Sequence, residues 1–365
     1  MSIECERTGG INLAQGVCDT EVPPVVRLGA ARAMDDGINT YTHYAGLMEL
    51  REAIALKYRR SYGIDVDPEN EIIASAGSTG VFYCACLALL DPLDEVILFE
   101  PYYGYHVNTL IAAGAVPTYV RMQPPAWTFT RDDLERALTP RTRGIMVNTP
   151  ANPSGKVFTR DELEIIADFA RRHDLFVFTD EIYEHFLYGD AKHIPPMTLP
   201  GLRERTITIS GVSKSFSITG WRIGYCICDE RWSRTIGYFN DLVYVCAPAP
   251  LQIGVAKGLT GLGDDYYDRL AADYAAKREM ICTALDRAGL RPFVPQGAYY
   301  VLADISRLPG ASGKEKVMHL LGRTGVACVP GKAFYHDAAG EDLARFCFAK
   351  EDGVLDEACR RLEGL

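Results

Sequence analysis

Short apolar runs alternate with longer amphipathic stretches along most of the chain. Glu71–Ala76, Glu95–Phe99, Val116–Val120, Gly144–Val147, Phe176–Thr179, Thr206–Ser210 and Ile223–Cys228 are rich in β-branched or other apolar residues, so each reads as a buried strand. Between them the apolar positions shift to helical spacing. Pro23–Met34 carries Val26, Ala30 and Ala33 on one face, Thr159–His173 carries Leu163, Ile166 and Ala170, and Leu50–Tyr58, Val81–Leu90, Arg131–Leu138 and Glu230–Val245 follow the same rule. Thr159 with Glu162 three residues on predicts a capping box. Strand and helix in alternation predict a parallel sheet with right-handed crossovers, whose ligands bind outside the carboxyl edge.

The pattern changes after residue 261. A mixed helix over Asp265–Ala288 leads into strands at Tyr299–Asp304, Gly325–Val329 and Ala344–Phe348, with helices at Lys314–Leu321 and Gly353–Leu362. These predict a small α+β domain built from residues 1–36 and 262–365, beside a large α/β domain over 37–261. The apolar run Val243–Pro250, with two prolines, reads as a loop.

Several strands end in polar residues that would meet at one sheet edge. Gly77-Ser78-Thr79-Gly80 follows a strand and opens a helix, where glycines permit a tight turn and unpaired amides attract an anion. Asn148 ends a second strand and Asp180 a third. Lys214 lies in a hydroxyl-crowded loop just after Thr206–Ser210, with Arg222 eight residues on.

Composition narrows the chemistry. An apolar content of 48% and a charged content of 24% suit a globular protein, and 365 residues can bury a large core. A net charge of −10 argues against a nucleic-acid surface, which needs clustered basic residues. The eleven cysteines are scattered without a CxxC pair and read as free thiols of a reducing, cytoplasmic setting. The seven histidines show no metal-ligand spacing, so no metal is expected and they read as structural or surface residues. No secretory h-region opens the sequence, and no run reaches the ~20 apolar residues of a membrane span.

In order, Ile11–Asp19, Asn148–Gly155, Thr179–Tyr183 and Ser213–Tyr225 resemble the class I and II aminotransferases, and the likeness runs from about Ile11 to Glu351. The resemblance implies fold type I of the pyridoxal 5'-phosphate enzymes, a mainly parallel seven-stranded sheet flanked by helices with a smaller α+β domain. It implies transfer of an amino group between an L-α-amino acid and a 2-oxo acid, with Lys214 forming the internal aldimine and then serving as base. Asp180 would keep the pyridine nitrogen protonated, Tyr183 and Asn152 would bond the ring oxygen, and Tyr103 would stack on the ring. Ser78, Thr79, Gly80, Ser213, Arg222 and Tyr41 of the partner subunit would surround the phosphate, which implies a homodimer with composite sites. Gly16, Asn152 and Arg345 would bind substrate, Arg345 by clamping the α-carboxylate.

One departure from the family pattern is Gly211, where many relatives carry a phosphate-binding serine; Ser210 and Ser213 are the alternatives. Val17, Cys18 and Tyr44 are candidates for a side-chain pocket suited to a neutral or aromatic amino donor. A carbon–sulfur β-lyase, or another enzyme forming a Cα carbanion, would use the same residues. A Rossmann dehydrogenase would need GxGxxG after its first strand, and the sequence has none there. A catalytically silent regulator is disfavoured by the presence of both Lys214 and Asp180.

Overall fold

A computed structural model describes residues 1–365. Seven strands form the main sheet, in the order Ile72–Ala76, Ile223–Ile227, Thr206–Gly211, Phe176–Asp180, Thr142–Asn148, Glu95–Glu100 and Val116–Arg121. Only Ile223–Ile227 runs against its neighbours; every other pairing is parallel. This is the mainly parallel sheet expected for fold type I. Its central strands are buried along their length because helices cover both faces, which is why they read as continuous apolar runs. Thr159–Glu162 forms the capping box: each residue's side chain accepts the other's backbone N–H.

The second sheet is antiparallel, in the order Val329–Pro330, Leu343–Cys347, Tyr300–Asp304 and Arg291–Phe293. Its core joins the helices Asp264–Arg287 and Asp352–Leu362 and also takes in Ile182, Tyr183 and Phe186 from just beyond the main sheet. The stretch Gly325–Val329 is not one strand. Val326–Ala327 pairs with the N-terminal Ile11–Asn12, and after buried Cys328 the chain changes sheets so that Val329–Pro330 pairs with Leu343–Cys347.

Two further local readings change. Gly77–Gly80 is the first turn of the helix Gly77–Leu89 rather than a loop before it. The run Val243–Pro250 is only partly a loop, because a helix starts at Ala249 with proline in its first turn, where no intrahelical N–H bond is lost. Helices Ser2–Arg7 and Gly104–Ala112 and the strand Arg291–Phe293 have too few residues to stand out by periodicity. No helix is long and apolar enough to cross a membrane.

Candidate active site

The parallel strands converge at their carboxyl ends on a cavity of about 350 Å³. Ser78, Thr79, Tyr103, Asp180, Tyr183, Ser213, Lys214 and Arg222 all line it, so eight of the residues singled out from sequence meet in one place. Lys214 follows the strand Thr206–Gly211 by three residues and is half-buried; its amine makes one hydrogen bond, to the Gly16 carbonyl at 3.4 Å, and no ion pair. Loss of hydration lowers its pKa below that of an ordinary lysine; Cys18, Cys347 and Asp180 oppose the shift, and Arg222 adds to it.

Asp180 is buried at the end of its strand. Its Oδ1 accepts from the Ile182 N–H at 3.3 Å, and Oδ2 lies 2.8 Å from Nε2 of His106. His106 is a site residue that the sequence reading left among structural histidines. Its signal was its spacing: three residues after Tyr103, on the helix Gly104–Ala112, it falls beside the same strand end. The His106 and Tyr103 rings meet edge to face at 5.2 Å.

Arg222 closes the opposite end. It has a left-handed backbone (φ 56°) and donates only to the carbonyls of Thr219 at 2.9 Å and Ala76 at 3.4 Å. A Cβ on Gly77 would come within 2.2 Å of its Nη2, so glycine there is what allows the guanidinium to lie against the helix start. Ser78 and Thr79 occupy the first turn of that helix, and Gly80 packs beside Ser75 and the Tyr244 ring. Ser213 lines the cavity, whereas Ser210 turns away and donates to Glu184 at 3.1 Å. Ser213 is therefore the serine left at this end.

Arg345 and Asn152 form a second group outside that lining; Asn152 lines an adjoining cleft that shares Tyr103 and His106 with the cavity. Arg345 donates through Nη1 to Asn152 Oδ1 at 2.9 Å and through Nη2 to the Ala14 carbonyl at 2.7 Å, while its buried Nε has no partner. Asn148 orders this loop by accepting the Asn152 N–H at 2.8 Å. The strap around Gly16 connects both groups, since the Ala14 carbonyl accepts from Arg345 and the Gly16 carbonyl from Lys214; the latter also accepts from Tyr299 Oη at 3.2 Å. Tyr300 Oη lies 3.2 Å from Tyr183 Oη, a contact the sequence reading did not anticipate.

Cys18 is buried with its thiol 3.5 Å from the Lys214 carbonyl, whereas Tyr44 packs against Gly237 and His43, apart from the cavity lining. Tyr41 is 83% exposed and touches no part of its own chain's cavity.

The residues fit pyridoxal 5'-phosphate on three observations. An arginine free of carboxylate partners sits with two hydroxyls at a helix start, as a phosphate dianion requires. A buried carboxylate faces the same cavity, as a cationic ring nitrogen requires. A lysine with depressed pKa and no ion pair is available to a carbonyl carbon.

Comparison with known proteins agrees with this geometry. The family model described as aminotransferase class I and II matches residues 8–362. The probable N-succinyldiaminopimelate aminotransferase DapC of Mycobacterium tuberculosis is 36% identical, over 100% of this chain and 94% of the relative. Kynurenine--oxoglutarate transaminase 3 of Rattus norvegicus is 33% identical, over 95% of this chain and 83% of the relative. The solved structure of N-succinyldiaminopimelate aminotransferase from Mycobacterium tuberculosis superposes with a TM-score of 0.96 at 36% identity, covering 100% of this chain and 95% of that one.

Proposed function

The chain belongs to the class I and II aminotransferase family, and from that premise we propose that Lys214 carries the chemistry, supported by Asp180 and Tyr183. The protein is a pyridoxal 5'-phosphate-dependent aminotransferase, and the named relatives favour amino-group transfer over β-elimination. When bound, the cofactor supplies a carbonyl carbon for the substrate amine and an electron sink for charge developing at Cα.

In this reading the Lys214 amine would tether the cofactor, and once freed would take the proton from the substrate Cα and deliver it to the cofactor carbon that accepted the amine. An amine does this only while neutral, and the lowered pKa of Lys214 favours that form. The Asp180 carboxylate, steadied by His106, holds the proton on the ring nitrogen. Tyr183 and Asn152 would hold the ring oxygen, and Tyr103 would stack on the ring. Ser78, Thr79, Gly80, Ser213 and Arg222 hold the phosphate. Arg345 binds the substrate carboxylate in bidentate fashion, with Asn152 and the Gly16 strap fixing its approach. The amino donor is neutral or aromatic, received beside Val17 and Cys18.

The working unit is a homodimer in which Tyr41 of the partner subunit completes the phosphate site. Tyr41, Tyr238, Leu242, Val243 and Val245 are all exposed. The Thr42 N–H donates to the Cys246 thiol at 3.5 Å, which draws the Tyr41 loop and the end of the helix Glu230–Tyr244 into one apolar patch. Val245 holds a positive φ of 64° within this patch, a strain of about 1–3 kcal/mol for a β-branched residue that packing at this surface would offset. We divide the chain at 36/37 and 261/262, with the helix Pro24–Asp35 bridging to the large domain by packing on Ala249–Gly261. Eleven free cysteines support a cytoplasmic setting.

The observation that carries the reading is a half-buried lysine without an ion pair sharing one cavity with Asp180 and Arg222. Borohydride reduction of the holoenzyme followed by peptide mass spectrometry tests it. The pyridoxyl mass is expected on Lys214, and its appearance on any other lysine would overturn the assignment.

A further inference from the structure

Glu100 ends its strand at the carboxyl edge of the main sheet, three residues before Tyr103, and its side chain is 1% exposed. A carboxylate so buried needs partners, and its partners tie together distant parts of the chain. Oε1 accepts from the backbone N–H of His336 at 2.7 Å and is 2.8 Å from Nδ1 of the same residue. Oε2 accepts from Arg121 Nη2 at 3.0 Å and Nε at 3.3 Å, and Arg121 reaches on to Asp337 at 2.9 Å. Two residues along from Glu100, the Tyr102 N–H donates to the Phe334 carbonyl at 3.0 Å. The segment from Phe334 to Asp337, which belongs to the small domain, is thereby pinned to the edge of the large sheet.

The pinned segment carries a ring that matters. Phe334 lies 5.0 Å from the Arg345 guanidinium, whose other close ring is Tyr300 at 4.3 Å. Arg345 has a long, flexible stem, and bidentate binding of a carboxylate demands one orientation of its planar head.

We infer that Glu100 is a positioning residue for substrate-carboxylate binding: it anchors His336, the anchored segment sets Phe334 against Arg345, and the guanidinium is held ready for the carboxylate. This deepens the reading of Arg345 given above and rests on it. Glu100 touches neither substrate nor cofactor in this scheme, so its removal should act on binding rather than on the chemical step.

The test compares Glu100→Gln, Arg121→Gln and Arg345→Lys holoenzymes, using 3-phenylpropionate, a carboxylate without an amine, as the calorimetric probe. Hydrogen exchange of the peptide containing His336 is read in parallel. Glu100→Gln should speed exchange at that peptide, weaken the probe by roughly two- to thirtyfold and raise KM while sparing kcat. Arg121→Gln, at a partly exposed position, should do the same more mildly and serves if Glu100→Gln does not fold. Faster exchange with unchanged probe affinity, while Arg345→Lys does weaken the probe, would overturn the role of Glu100 alone. Unchanged affinity in Arg345→Lys would instead remove the reading of Arg345 and this inference with it.

Discussion

Replacing Lys57 with methionine would strand a carboxylate that water cannot reach. Lys57 and Glu184 pair with side-chain exposures of 1% and 2%, and Glu184 also accepts from Tyr62 and from Ser210, while Lys57 donates to Tyr225 at 3.0 Å. Burial by itself would raise the Glu184 pKa, but Lys57, joined by His185 and His193, outweighs it and brings the value from 4.5 down to about 2. At ~1.4 kcal/mol per pH unit this corresponds to about 3 kcal/mol, within the range of about 3–5 kcal/mol for breaking a buried pair by removing one partner. The two partners' shifts describe one interaction and are not added. Spread over 365 residues at roughly 2.1 cal/mol/K each, the loss amounts to a fall of about 4 °C in the melting temperature of the apoprotein.

The sign with pH follows from the same shift. In the parent protein Glu184 contributes fully above 4.5, and the contribution is lost as pH falls toward about 2. Without Lys57, burial prevails and the folded-state pKa moves above 4.5, so the variant should gain on its parent as pH drops from 7.5 to 5.5. Urea unfolding of apoprotein at both pH values measures this, the cofactor being removed because it would stabilise the native state by mass action. The double change Lys57→Met with Glu184→Gln removes the buried charge, keeps an acceptor for one of Tyr62 and Ser210 and offers an N–H to the other hydroxyl, and should recover most of the loss. A single variant within about 0.5 kcal/mol of its parent, or a double variant as unstable as the sum of the singles, would refute the pair as the source of stability.

Three further outcomes test the site. His106→Asn should lower kcat roughly ten- to hundredfold with the cofactor still bound, by removing the charge-assisted hydrogen bond on Asp180; steady-state kinetics and the visible spectrum together read this. Gly16→Ala places a Cβ 1.9 Å from Tyr300 Oη, an overpacking of about 1–3 kcal/mol that must move the strap, so KM for the amino acid should rise at least about fivefold. Mixing inactive Lys214→Ala and Tyr41→Ala subunits should restore activity if Tyr41 of the partner subunit completes the site; inactive hybrids, verified as dimers by native mass spectrometry, would speak against a composite site.

The central strands of the main sheet were legible because they are buried on both faces, so their apolar runs survive without any long-range information. The residues at their ends were legible for the same reason: Ser78, Asp180 and Lys214 each lie within three residues of a strand terminus, and a parallel sheet brings such termini to one edge. Boundaries were less so. The split after Cys328 depends on which partner strand each half finds, Ile11–Asn12 or Leu343–Cys347, and nothing local records that choice.

Contacts across long separations belonged to the tertiary structure alone. Arg345 meets Asn152 across 193 residues, His106 meets Asp180 across 74, and Lys57 meets Glu184 across 127. A charged residue in isolation reads as a surface residue, since exposure is the cheaper state for it. Only when the fold removes water from both members of such a pair does each become necessary to the other. Local periodicity therefore determined which elements form and which chemical groups stand at their ends, and packing decided which of those groups are dry, paired and able to act together.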